Sequence, residues 1–173
     1  MHPLNLFKYC PKCGSADFVV NNEKSKRCEN CGFIYYFNSS AAVVAFIVNK
    51  ENQLLVCRRA KEPAKGTLDL PGGFIDMCET AEEGIIREVR EETGLEVHTP
   101  AYLFSLPNLY EYSGFLVHTL DLFFLIHLKE DYTLIPQDDV EEAWFVSLTG
   151  LEPDKFGLQS IKKGITHFLI NYR

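Results

Sequence analysis

Nowhere in its 173 residues does this chain carry the ~18 consecutive apolar residues that a membrane span requires. The opening stretch from Met1 to Tyr9 also lacks the long apolar core of a secretory signal. The expectation is a soluble, cytoplasmic protein with no membrane partner. Basic residues are in the minority: 17 lysines and arginines stand against 24 aspartates and glutamates, a net charge of −7. A chain built mainly to neutralise nucleic-acid phosphates would show the reverse balance, so a nucleic-acid partner is not expected. An acidic enzyme that meets phosphates through a divalent metal stays compatible. Internal repeats and low-complexity tracts are lacking as well.

What is present is 46% hydrophobic and 13% aromatic content, enough for one substantial core and a small appendage. Six cysteines occur, and the first four, Cys10, Cys13, Cys28 and Cys31, form two Cys-x2-Cys pairs separated by fourteen residues. Each pair can point two thiolates at one tetrahedral ion, and the spacer is long enough for a hairpin that brings the pairs together. A disulfide framework or a redox pair would use the same residues. Without a secretory signal, and with Gly14 and Gly32 just after the second cysteine of each pair, structural Zn²⁺ is the favoured reading. Residues 8–37 are therefore expected to be a small zinc ribbon, dependent on metal for most of its folding free energy. Cys57 reads as buried packing, and Cys78 as more exposed.

Beyond the ribbon, Ala41 to Val48 is a continuous apolar run rich in β-branched residues, Asn49 to Asn52 reads as a turn, and Gln53 to Arg58 as a second strand. Leu68 to Pro71 runs extended into Gly72 and Gly73. A helix is expected from Ala81 to Thr93, because Thr80 and Glu83 make a capping box and Gly94 stands where a left-handed cap is wanted. Ile85, Ile86 and Val89 form its apolar stripe. Gly84 interrupts it at a cost of about 1 kcal/mol relative to alanine, which suggests a close approach to the backbone there. Strands are expected over Glu96 to Phe104, Leu116 to Leu128 and Ala143 to Leu148, with a loop holding Pro107, Asn108, Tyr110, Tyr112 and Gly114. A C-terminal amphipathic helix is expected over Gly157 to Ile170. Strands and helices that mix without regular alternation indicate an α+β fold.

Glu88, Glu91 and Glu92 fall on one arc of the first helix, since offsets of three and four residues return to the same face. Three carboxylates so placed repel unless a cation sits among them, and hard oxygen donors suit Mg²⁺ as the thiolates suit Zn²⁺. A glutamate-rich helix is also commonly just a solvated face, with Glu83-Arg87 and Arg87-Glu91 as ordinary pairs. The surrounding spacing decides between them. Gly73, five residues, Glu79, seven residues, then Arg87-Glu88-Val89, Glu91-Glu92, Gly94 and Leu95 resemble the Nudix box at every fixed position.

That resemblance implies a Nudix αβα sandwich with a mixed sheet over residues 39–172 and hydrolysis of a P–O–P bond in a nucleoside diphosphate linked to another moiety. It implies that Glu88, Glu91 and Glu92, with the Gly73 carbonyl, hold catalytic Mg²⁺ or Mn²⁺, and that Glu79 and Arg87 brace the loop against the helix. Glu88 or a carboxylate from a later loop would deprotonate the attacking water. Glu141 stands where relatives place a further acidic ligand, with Asp138, Asp139 and Glu142 as alternatives.

A zinc ribbon ahead of a Nudix domain is similar to the NADH pyrophosphatases. Their substrate signature, Ser-Gln-Pro-Trp-Pro-Phe-Pro, reads here Ser105-Leu-Pro-Asn-Leu-Tyr110, so NAD(H), ADP-ribose, nucleotide sugars and nucleoside triphosphates all stay open as small-molecule substrates. Tyr110 and Tyr112, with Phe115, are candidates to stack on a substrate ring. The alternative is a nucleotide-sensing or nucleic-acid-binding module that uses the fold without catalysis. The family often forms dimers, and the aromatic stretch Phe33 to Phe37 suits either a homodimer interface or the ribbon-to-domain contact.

Overall fold

The computed structural model describes residues 2–129 and 132–172, with Tyr110 as backbone only. The chain divides into two compact units, one of Met1–Ser39 with Glu111–Val117 and one of Ser40–Tyr110 with His118–Arg173.

In the first unit β1 (Phe18–Asn22), β2 (Ser25–Cys28) and β3 (Ile34–Tyr36) form an antiparallel sheet in that order. Its apolar core is small: Cys10, Phe18 and Cys28 are buried, with Cys31 and Phe33 packed against them. Lys26 crosses the Phe18 ring at 4.9 Å and donates to the Phe7 carbonyl at 2.6 Å, and burial lowers its pKa. Phe115 packs edge-on against Phe7 and Phe37, with centroids 5.6 and 5.5 Å away.

The second unit is built on β4 (Ser40–Val48), β5 (Gln53–Arg59), β6 (Leu68–Asp69), β7 (Gly72–Phe74), β8 (Ala101–Tyr112), β9 (Phe115–His127) and β10 (Val140–Ser147), with helices α1 (Ala81–Thr93) and α2 (Gln159–Asn171). The strand order is β10-β5-β4-β9-β8, with β6 on β5 and β7 on β4. β4 runs parallel to β9 and antiparallel to β5, so the sheet is mixed. The continuous apolar run of β4 is explained by burial on both faces. Val44, Phe46 and Val48 join the cluster containing Ile161, Ile165 and Phe168 of α2, whereas Val43, Ala45 and Ile47 join that of Ile85 and Val89 of α1. This is the αβα sandwich. Phe46 stacks on Phe168 at 4.1 Å, and truncating either ring to alanine would cost about 3–5 kcal/mol.

β4 and β5 pair only at Val48 and Leu54 before diverging. The segment from Leu68 to Phe74 fills the opening: β6 pairs with Cys57 and Arg58, β7 pairs with Ala42, Val43 and Val44, and the Pro71 carbonyl between them accepts from Ala45 N at 2.8 Å. Gly72, at φ 154°, has no room for a side chain, since a Cβ would lie 2.1 Å from the Val43 carbonyl oxygen. The glycines at the head of α1 are thus welded to the central strand.

Two expectations need correction. The segment Glu96 to Pro100 is irregular, and β8 begins at Ala101. The residues expected as a loop after Phe104 continue as strand to Tyr112, leaving only Ser113 and Gly114 in the turn. Both turn residues have positive φ, 52° and 70°, which suits a two-residue hairpin. Pro107 is tolerated because β8 is the edge of the sheet, where a missing N–H need not break a ladder.

Candidate functional site

α1 begins where Thr80 Oγ1 accepts from Glu83 N and Thr80 N donates to Glu83 Oε2, the reciprocal capping box. It ends at Gly94 with φ 71°, whose N–H bonds to the Arg90 carbonyl. These caps fix the helix frame, and Ile85 and Val89 bury its apolar stripe against the sheet. The adjoining arc carries the glutamates, and Glu92 on it is buried as well.

Arg87 lies at their centre. Its Nε and Nη2 donate to Glu79 Oε1 and Oε2 at 2.8 and 2.9 Å, Nη1 donates to Glu88 Oε1 at 2.8 Å and Glu91 Oε2 at 3.1 Å, and Nη2 also reaches the Phe74 carbonyl at 3.0 Å. One planar guanidinium therefore ties the loop before α1 to the helix, as a lysine could not. Glu79 also accepts from Asp76 N at 2.9 Å, and these donors hold its carboxyl down at about 2, the Arg87 bonds most strongly. The close approach expected at Gly84 is this same carboxylate: a Cβ there would sit 3.1 Å from Glu79 Oε2.

Glu88 rests against Gly73, where a Cβ would come within 2.6 Å of its carboxyl carbon. Burial raises the Glu88 pKa against the opposing pull of Arg87. Glu92 is 7% exposed and accepts from Gly72 N at 2.9 Å. Burial pushes its pKa well above the carboxylate range, and the charges of Asp69, Glu88 and Asp139 push the same way. Glu91 is the open member, its side chain 46% exposed. Gly73, Glu79, Arg87, Glu88 and Glu91 are thereby joined directly or through one shared partner, and Glu92 is held to Gly72, the residue before Gly73.

The other predicted residues are placed differently. Glu141 is the extra residue of a bulge between Val140 and Glu142 in β10, and it is exposed. Asp138 and Asp139 pair with Lys61, and their charges reach Glu88 and Glu92 respectively. Glu142 pairs with Arg58 at 3.0 Å. Tyr112 is an exposed residue at the end of β8, in the unit that contains the ribbon. Tyr110 lies in β8, and its side chain is outside the described residues. Sequence reasoning missed Arg59 and Asp69, which form a close ion pair beside Cys57 and Glu92. The available signal was a lone aspartate between two leucines just ahead of Gly72.

In the ribbon the sulfurs of Cys10, Cys13, Cys28 and Cys31 all lie within 4.8 Å of one another, the one such ligand set among the described residues. Cys10 Sγ is 3.7 Å from Cys31 Sγ, and Cys13 Sγ is 3.6 Å from Cys28 Sγ. A tetrahedron with metal–sulfur bonds of about 2.3 Å has edges of about 3.8 Å. The two turns are near copies: Gly14 and Gly32 share φ 73° and bond back to the Cys10 and Cys28 carbonyls at 2.9 Å. The cluster is compatible with zinc.

The NUDIX domain family model matches residues 38–167, so the chain belongs to the Nudix family. It is 30% identical over 144 residues to the NAD-capped RNA hydrolase NudC of Vibrio parahaemolyticus, covering 83% of this chain and 53% of that protein. It is 34% identical over 125 residues to the ADP-ribose pyrophosphatase of Methanocaldococcus jannaschii, covering 71% of each. The chain spans about half the length of the NAD-capped RNA hydrolases that it matches. The crystal structure of a NUDIX hydrolase from Nitrosomonas europaea shares the fold with a TM-score of 0.74 at 22% identity, over 95% of this chain and 92% of that one. Among the described residues, no helix is long and apolar enough to cross a membrane.

Proposed function

We propose that this chain hydrolyses the P–O–P bond of a nucleoside diphosphate joined to a second moiety, with NAD(H) and ADP-ribose as the leading substrates. The observation that carries the reading is the Arg87 clasp, which arranges Glu79, Glu88 and Glu91 on one frame beside the buried Glu92. The curated relatives, one acting on NAD-capped RNA and one on ADP-ribose, support the substrate class.

The donor set fits a hard divalent cation such as Mg²⁺ or Mn²⁺. Glu92 is buried and Glu88 half-buried, and the Glu88 charge raises the Glu92 pKa, at a cost that a cation would offset. Glu88, Glu91 and Glu92 would hold it, with the Gly73 carbonyl beside Glu88. Such a cation supplies charge neutralisation at the phosphoryl oxygens and lowers the pKa of water. The chain's own groups do the rest. Arg87 holds Glu88 and Glu91 in place, Glu79 holds Arg87, and Glu88, whose pKa burial raises, takes the proton of the attacking water. Asp138 and Asp139 are better placed than Glu141 to assist, because their charges reach the glutamates. The four cysteines hold structural Zn²⁺ in the ribbon. The test is to incubate the purified chain with Mg²⁺ and NADH, ADP-ribose, nucleotide sugars and nucleoside triphosphates. Turnover of a diphosphate-linked nucleoside is expected, and no turnover of any of them contradicts the reading.

A further inference from the structure

The four ribbon cysteines divide by accessibility in a regular way. In each Cys-x2-Cys turn the first cysteine is buried and the second reaches the surface: Cys10 is 2% and Cys28 0% exposed, whereas Cys13 is exposed and Cys31 half-buried. The spatial pairing crosses between the turns. Cys13 Sγ lies 3.6 Å from Cys28 Sγ, and Cys31 Sγ lies 3.7 Å from Cys10 Sγ. Each accessible sulfur therefore has a buried sulfur of the other turn beside it.

Oxidants reach the sulfur that solvent reaches, and a buried structural cysteine is inert. An accessible thiolate with a resolving cysteine at its side turns oxidation into a reversible disulfide rather than a terminal acid. Closing the 3.6 Å between Cys13 and Cys28 to the ~2.05 Å of bonded sulfurs asks for a shift of only about 1.5 Å. Chain separation favours the same pairing. Cys13 and Cys28 are 15 residues apart and Cys10 and Cys31 are 21, so bridges across the turns close long loops and restrain the unfolded chain more than bridges within a turn. They also tie together what zinc otherwise joins, the turn that leads into β1 and the turn between β2 and β3.

We propose that Cys13 is a site of oxidation by peroxide with Cys28 as its resolving partner, and that the ribbon exchanges its zinc for two crossing disulfides, Cys13–Cys28 and Cys10–Cys31. The inference rests on the zinc reading for the metal released and is independent of the hydrolase reading. The Cys13 thiolate attacks one oxygen of hydrogen peroxide: an S–O bond forms, the O–O bond breaks, and hydroxide leaves. The Cys28 thiolate then attacks the sulfenic sulfur, the S–S bond forms, and a second hydroxide leaves. Zinc left with two sulfur ligands dissociates, and Cys31 and Cys10 repeat the sequence. In sum, four thiolates, two molecules of hydrogen peroxide and four protons give two disulfides, four waters and one free zinc ion.

The experiment treats the full zinc-loaded chain with hydrogen peroxide, follows zinc release with a chromophoric chelator, and maps cysteine pairs by mass spectrometry of alkylated, unreduced peptides. Cleavage after Lys12 and after Glu29 separates the two cysteines of each turn, so the possible pairings are told apart. Cys78, an exposed thiol outside the cluster, serves as an internal reference. The ribbon sulfurs are expected to oxidise under the exposure that consumes Cys78, with release of about one zinc per chain. Limiting peroxide is expected to give Cys13–Cys28 ahead of Cys10–Cys31, and excess to give both. A dithiol reductant with added Zn²⁺ should restore the starting state. Four ribbon thiols left reduced when Cys78 is fully oxidised overturn the proposal, as do bridges within the turns, Cys10–Cys13 and Cys28–Cys31, or sulfinic acids in place of bridges. Cys10–Cys31 forming first overturns the assignment of Cys13. If the purified chain holds no zinc, the zinc reading fails, and the same mapping on the metal-free chain decides the cysteine assignment: the crossing pairs support it, and any other result overturns it.

Discussion

The Arg87 guanidinium meets the Glu79 carboxylate through two parallel bonds, Nε to Oε1 at 2.8 Å and Nη2 to Oε2 at 2.9 Å, while Nη1 reaches Glu88 and Glu91. A residue from the loop and two from the helix thus share one cation. Lysine keeps the charge and loses the fork. Arg87→Lys is expected to lower kcat by about 10–100-fold, the usual cost of removing a group that orients metal ligands. KM should change little, and steady-state kinetics on a folded variant checks both.

The same bonds fix a pH dependence. Glu79 titrates at about 2 in the folded chain, against an ordinary value of 4.5. Its folded pKa is depressed, so its stabilising effect is complete above pH 4.5 and is lost as pH falls toward 2. A carboxyl-resolved NMR titration should find this midpoint. The stability deficit of Glu79→Gln should be constant near neutrality and shrink across that window.

Glu92 has the opposite sign. Burial raises its folded pKa well above 4.5, so the folded state holds a proton that the unfolded state has released. Metal-free stability should therefore fall as pH rises from 4.5 through the folded pKa, and Glu92→Gln should flatten that slope. Added Mg²⁺ should raise the melting temperature of the wild type more at pH 8 than at pH 5, and a series of thermal melts tests this.

In the ribbon, a core of Cys10, Phe18 and Cys28 is too small to hold three short strands without metal. Metal analysis of freshly purified, unchelated protein is expected to find about one zinc per chain. Cys28→Ser should release it and unfold β1 to β3, while the α1 and α2 amides keep their hydrogen-exchange protection.

Gly164 of α2 packs against Phe123, and a Cβ there would lie 2.5 Å from its Cε1. Alanine favours the helix by about 1 kcal/mol, and overpacking costs about 1–3 kcal/mol. Gly164→Ala should destabilise the fold on balance, seen as a lower urea midpoint at unchanged slope.

The helix that bears the glutamates was legible because its signals are local: Thr80, Glu83 and Gly94 punctuate it, and α1 occupies the expected residues. The strand β4 was legible as an apolar run, but its two allegiances, Val44 and Phe46 toward α2 and Val43 and Ala45 toward α1, exist only once both helices dock. β8 was misread because Pro107 and Asn108 are loop residues by local preference, and only an edge position makes them acceptable in a strand. The buried Asp121 and Asn108 left a faint trace, polar residues within apolar surroundings. Their burial is tertiary, since Ser160, which donates to Asp121, lies 39 residues from it. Arg59 and Asp69 escaped notice for the same reason: the pair closes only when β6 docks on β5.

The most direct test of the central claim is product analysis of ADP-ribose incubated with Mg²⁺ and either the wild-type chain or Glu91→Gln, whose folding is checked by circular dichroism. The glutamate site predicts AMP and ribose 5-phosphate from the wild type and a rate at least about 100-fold lower in the variant, since a metal-holding carboxylate has been removed. An intact substrate with the wild type, or equal rates with the two proteins, would contradict it.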